Sequence, residues 1–134
     1  MTTDHTSAEA HAAPDGARLT TLDPSDGYIT IINTCAVAPE RAEALLDFLL
    51  RATNQTIRHV PGFVSANLHV NFDRTRVVNY AQWKSREAIA AARENPKVVA
   101  LMREQLKIAD SFTPILYELR QSVPAAGNAR PWAR

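Results

Sequence analysis

Val77-Val78-Asn79-Tyr80-Ala81-Gln82-Trp83-Lys84 is the stretch on which the reading of this chain turns. Val, Tyr and Trp favour a pleated, half-buried surface, so it reads as a strand. Alternation places Val77, Asn79, Ala81 and Trp83 on one face and Val78, Tyr80, Gln82 and Lys84 on the other. The first face is apolar apart from one carboxamide. A buried carboxamide needs a hydrogen-bond partner, and a ligand can supply one.

Working outward, Phe63 to Phe72 reads as the preceding strand, with Val64, Ala66, Leu68, Val70 and Phe72 on its apolar side and Ser65, Asn67, His69 and Asn71 opposite. Asp73-Arg74-Thr75-Arg76 reads as the turn between the two. That turn pairs Val70 with Asn79, Leu68 with Ala81 and Ala66 with Trp83. A slip of one residue would mix the two faces, so the pattern selects against it. Further out, Gly27 to Val37 forms a first strand, with Ile29, Ile31, Asn33 and Cys35 sharing a face. Pro39 suits a first helical turn. Ala42, Leu45, Leu46, Leu49, Thr53 and Ile57 then recur at helical steps until Val60-Pro61-Gly62 stops them. Ser85 is an N-cap for a short helix over Arg86 to Ala92. Asn95-Pro96 breaks that helix, and a second piece runs to about Ile108 through Val98, Val99, Met102 and Leu106. Ser111 to Leu119 is the last strand, and Pro114 assigns it to an edge or a bulge.

Strand, helix, strand, strand, helix, strand is the ferredoxin-like βαββαβ plan, an α+β fold with an antiparallel sheet. Right-handed crossovers put the first and third strands in the middle. Helices cover one face. The other carries Thr30, Ile32, Ser65, Asn67, His69, Val78, Tyr80 and Gln82, too apolar for water alone, and a second sheet is its natural cover. A homodimer is therefore expected. Residues 1–25 read as a flexible N-terminal tail, 26–121 as the folded domain and 122–134 as a C-terminal tail.

Composition narrows the function. The 134 residues are 22% charged with a net charge of +1, so no global field marks a nucleic-acid partner. The single cysteine, Cys35, rules out an internal disulfide and fits a reducing compartment. No run approaches the roughly 18 apolar residues of a membrane span. The start, Met1-Thr2-Thr3-Asp4-His5, lacks the basic and apolar segments of a signal peptide. A cytoplasmic protein without membrane contact is expected. There is no phosphate-binding glycine loop, zinc spacing or serine elbow. His5 and His11 in the tail define no coordination sphere. His69 lies on the outward face, and His59 ends the first helix. Cys35 reads as a small core residue, and Glu87, Glu94 and Glu104 as solvated helix charges.

The plan brings Asn33, Asn79 and Trp83 onto adjacent central strands, beneath the helices. Two carboxamides beside an indole can line a pocket, where the amides hold an oxyanion and the indole offers a flat wall to an aromatic ring. Leu68, Val70 and Ala81 on the strands, with Leu49 and Met102 on the helices, supply the expected apolar substrate wall. On spacing alone an alternative stays open, in which both Asn satisfy local backbone and Trp83 fills core.

Pro61-Gly62-Phe63-Val64-Ser65, the Asp73-to-Arg76 turn and Asn79-Tyr80-Ala81-Gln82-Trp83 together resemble the antibiotic biosynthesis monooxygenase family. The likeness runs from about Tyr28 to Leu119. It implies a dimeric α/β barrel of ferredoxin-like subunits. The branch it matches oxidises phenols or anthrones of aromatic polyketide pathways to quinones with O2 and without flavin, haem or metal. In that branch an Asn and a Trp four apart on this strand line the pocket, matching Asn79 and Trp83. Some members add a first-strand Asn, matching Asn33. The implied chemistry is proton loss from the substrate, amide stabilisation of the oxyanion, electron transfer to O2, recombination to a peroxide and loss of water. Some members place a Tyr or His in the helix after the Trp. Arg86 to Glu94 here contains neither, so the proton acceptor is unassigned. An axial His from that helix, which a haem-degrading branch requires, is also absent. The alternatives are quinol oxidation or isomerisation of a small metabolite, and a non-catalytic ligand-binding module. The last is disfavoured by the missing helix-turn-helix and basic patch.

Overall fold

In the computed structural model, which describes residues 19–127, the chain forms β1 (Ile29–Ala36), α1 (Ala42–Gln55), β2 (Phe63–Val70), β3 (Arg76–Trp83), α2 (Arg86–Glu94), α3 (Pro96–Gln105) and β4 (Ser111–Glu118). The strands make one antiparallel sheet in the order β2-β3-β1-β4. This is the expected ferredoxin-like arrangement, with β1 and β3 central and Pro114 on an edge strand.

Local chemistry sets the helix ends. Ser85 Oγ accepts from Ala88 N at 3.1 Å and starts α2. Asn95 Oδ1 accepts from Lys97 N at 2.9 Å, so the residue that ends α2 also caps α3, with Pro96 in its first turn. A 3₁₀ turn over Pro39–Arg41 leads into α1, whose buried stripe is Ala42, Leu45, Leu49 and Ala52.

Two apolar clusters fill the layer between sheet and helices. One joins Cys35, Val37, Ala42, Leu45, Leu49, Val77 and Ala109. The other joins Val60, Ala81, Trp83, Ile89, Ala92 and Val98. The gap between them is where the cavity described below opens.

The pairing of β2 with β3 differs from the expected register by two residues. Val70 faces Val77, Leu68 faces Asn79 and Ala66 faces Ala81. The cause is Asn71, whose Oδ1 accepts from both Thr75 N and Arg76 N at 2.9 Å. Asn71 N also donates to Arg76 O. The side chain closes the loop one pair earlier than the apolar pattern suggests. Phe72 therefore leaves the strand and stands fully exposed in the turn. A two-residue shift preserves the faces, which is why alternation alone cannot detect it. At the other end of β2, an irregularity between Phe63 and Ser65 returns Phe63 to the helix face, opposite Trp83.

Residues 19–26, most of which fall in the stretch read as tail, lie against the outer sheet face. Thr20 Oγ1 donates to Asn67 Oδ1, and Gln82 Nε2 donates to Thr21 O, both at 2.8 Å. Ser65 Oγ donates to Gln82 Oε1 at 2.8 Å. Thr30 and Gln82, cross-strand partners on this face, are thereby buried. Residues 1–18, with His5 and His11, and residues 128–134 lie outside the described residues. No helix among the described residues is long and apolar enough to cross a membrane.

Candidate active site

The β1–β3 ladder sets Asn33 directly opposite Asn79. Both side chains face the helices and line a cavity of about 170 Å³ between the sheet and α1, α2 and α3. Trp83, Leu49, Ala81 and Met102 also line it, as the sequence suggests. Leu68 and Val70 do not. They pack around the Cys35–Leu45–Val77 cluster: the register shift sets Val70 opposite Val77 rather than Asn79, and Leu68, although opposite Asn79, packs on that same cluster.

The two amides are held differently. Asn79 Oδ1 accepts from the backbone N–H of Asn67 on β2 at 3.3 Å. With its oxygen tied to the neighbouring strand, the amide presents Nδ2 as its free end. That makes Asn79 a hydrogen-bond donor to anything in the cavity. Asn33 has no such anchor, and its Oδ1 is buried without a hydrogen-bond partner. An orphaned buried acceptor costs about 1–3 kcal/mol. The reading in which both amides merely serve local backbone therefore holds in part for Asn79 and fails for Asn33.

Trp83 is buried, with the Phe63 ring edge-on to it, centroids 5.5 Å apart and planes at 87°. This edge-to-face contact fixes the orientation of the indole, so the wall it offers a flat ligand is preset.

Three further polar residues line the cavity that the sequence reading does not assign to the site: Thr53, Arg93 and Gln105. Thr53 Oγ1 is occupied by Leu49 O at 2.7 Å, so it presents mainly its methyl group. Gln105 is buried, and its Nε2 donates to Cys35 Sγ at 3.1 Å. Burial pushes the Cys35 thiol up and the Gln105 contact offsets this only in part, so the sulfur stays protonated and inert. Helical periodicity from Pro96 to Gln105 could have flagged Gln105, which falls on the same face as Val98 and Met102. Arg93 sits three residues after Ala90 on a helix whose apolar face is short, and only the cavity itself shows that it lines the site.

No Asp, Glu, His, Lys, Tyr or Cys appears among the described lining residues. His69 is exposed on the outer face, with Nδ1 3.1 Å from Asn67 O, and His59 is exposed at the end of the 3₁₀ turn after α1. Among the described residues, no group of three or more His, Cys, Asp or Glu side chains is placed to hold a metal ion. The site can therefore bind, orient and donate hydrogen bonds, but it offers no strong base of its own.

The family model for antibiotic biosynthesis monooxygenases matches residues 28–104. The tetracenomycin-F1 monooxygenase of Streptomyces glaucescens is 42% identical over 80 residues, covering 60% of this chain and 71% of that protein. A Streptomyces coelicolor monooxygenase solved with nanaomycin D superposes with a TM-score of 0.64 at 27% identity, covering 76% of this chain and 95% of that one. SnoaB, a cofactor-independent oxygenase of Streptomyces nogalater, shares the fold with a TM-score of 0.61 at 23% identity, over 73% of this chain and 98% of its own. With its strand order, its opposed amides and its adjoining indole, the chain belongs to the antibiotic biosynthesis monooxygenase family.

Proposed function

We propose that this monooxygenase oxidises a phenolic or anthrone-type aromatic to a quinone, using O2 and no bound cofactor. The observation that carries the reading is the pair of facing amides, Asn33 and Asn79, in an apolar cavity walled by Trp83. Neutral donors in a low-dielectric site favour a phenolate or enolate over its conjugate acid without adding a competing charge. The substrate loses a proton to water, because no base is found among the described lining residues. Its carbanion passes one electron to O2, and the resulting radical and superoxide combine to form a C–O bond. The peroxide takes up a proton. Cleavage of the O–O bond and loss of the remaining C–H proton release water and leave the new carbonyl. One oxygen atom ends in the quinone and the other in water, with all electrons supplied by the substrate. The relatives acting on tetracenomycin F1 and binding nanaomycin D support an aromatic polyketide-like substrate, and SnoaB supports the cofactor-independent route.

The test is O2 uptake with a panel of phenols and anthrones, using colourless protein dialysed against chelator. Stoichiometric O2 consumption with rising quinone absorbance is the expected outcome. Turnover that is lost on dialysis and returns only with added flavin or metal would overturn the cofactor-free route. Conversion of substrate without O2 consumption would point to isomerase chemistry instead.

The working unit we propose is a homodimer joined through the outer sheet face. Ile115 and Tyr117 are 47% and 46% exposed there, beside half-buried Ile32, Val78 and Tyr80. Face-to-face sheet packing would cover this patch. Light scattering at micromolar concentration should give twice the 14.8 kDa chain mass, and a species of single-chain mass alone would refute the dimer.

A further inference from the structure

Arg93 is the one charged residue among those described as lining the cavity. It is exposed and stands at the C-terminal end of α2, so its guanidinium belongs to the mouth rather than the floor. Within α2 its neighbours three and four residues away are Ala90 and Ile89. Neither is a carboxylate, so the helix supplies no ion-pair partner at that spacing. No hydrogen bond or salt bridge joins Arg93 to another described residue, whereas Arg41 and Arg74 are paired with Asp110 and Glu43. Trp83, Val98, Leu101 and Met102 line the same cavity. No carboxylate stands among the described lining residues, and a cation on the rim of an apolar cavity draws anions, because low-dielectric walls focus its field.

We propose that Arg93 sets substrate choice, selecting polycyclic aromatics that carry a carboxylate remote from the reacting oxygen. This rests on reading the cavity as an aromatic substrate pocket. Guanidinium and carboxylate match in shape as well as charge, forming two parallel N–H···O bonds. The facing amides hold the oxygen that reacts, and Arg93 holds the far end of the ring system. The residue thus acts in binding and orientation, not in the chemical step.

The test is calorimetric binding without O2, using 9,10-anthraquinone-2-carboxylate and its primary amide as probes. The two share a ring system and differ in charge. Wild-type protein should bind the carboxylate about tenfold tighter than the amide. Arg93→Gln should weaken carboxylate binding about tenfold and leave amide binding within about twofold. Arg93→Lys should recover part of the preference, since it restores charge without the fork. Equal affinity of the wild type for both probes, failure of the carboxylate to bind, or equal loss of both probes in Arg93→Gln would overturn the proposal. Because no turnover is read, a failure of the oxygenase reading shows separately, as absent O2 uptake alongside intact carboxylate preference.

Discussion

Asn79→Ala should lower kcat by on the order of 10², about 3 kcal/mol, the usual loss when one oxyanion donor is removed. The Asn79 amide has its oxygen held by Asn67 N–H, leaving the NH2 end for the substrate. If the oxyanion develops only along the reaction, the loss falls on kcat more than on KM. The fold should survive, since the 3.3 Å bond to Asn67 is long and partly exposed and its loss costs about 1 kcal/mol. Asn79→Asp sharpens the test. It keeps an acceptor for Asn67 N–H but replaces the donor with a negative charge, so it should turn over more slowly than Asn79→Ala, at some cost in stability for a carboxylate set in an apolar cavity.

Asn33→Leu separates stability from activity at the facing position. Removing the orphaned Oδ1 should raise stability by about 1 kcal/mol, while turnover falls. Because the two amides face each other across one ladder pair, they are expected to act on the same oxygen. The double variant should then lose less than the product of the single losses. Turnover on one phenolic substrate and thermal unfolding of each variant decide the matter. Near-wild-type turnover by folded Asn79→Ala protein would remove the oxyanion role. Lower melting temperatures with unchanged activity would assign both amides to packing.

Much of this was legible in the sequence, for identifiable reasons. Element order follows from apolar periodicity and from Pro39, Ser85 and Pro96, which act locally. Asn33, Asn79 and Trp83 share a face because alternation fixes it within β1 and β3 and the central ladder sets the two amides opposite each other. What could not be read depends on side chains meeting backbone. Asn71 closes its turn through two backbone N–H groups, which moves Val70 off the site and strands Phe72 in solvent. The irregularity at the start of β2 turns Phe63 inward against Trp83, against the alternation of the rest of the strand. Thr20 and Thr21 sit in a low-complexity stretch, and only the positions of Asn67 and Gln82 in the sheet give them partners. Nothing in the sequence sets Arg93 apart until α2 is placed over the cavity.

Gly62→Ala should destabilise the protein by about 3 kcal/mol, combining the strain of a left-handed backbone with overpacking. Gly62 has φ +88, and a Cβ built there would run into Ala88 Cβ, with Trp83 Cε3 only 3.9 Å away. The backbone cannot easily retreat, because Lys84 N donates to Gly62 O at 2.8 Å and Phe63 N donates to Val60 O at 3.1 Å. The element that must yield is α2, whose first turn carries Ala88 and whose last turn carries Arg93. A stability defect should therefore be accompanied by a disturbed site, since Trp83, Ile89 and Ala92 pack in one cluster. For a domain of about 100 residues the expected fall in melting temperature is roughly 15 °C. Ala88→Gly isolates the steric part. Alone it should cost about 1 kcal/mol of helix propensity. Combined with Gly62→Ala it removes the colliding methyl, so the pair should be more stable than the sum of the single losses predicts. Strict additivity would show that the collision is relieved elsewhere and that strain at φ +88 accounts for the defect. A Gly62→Ala protein that melts within a degree or two of the wild type would mean that α2 is not held against this turn.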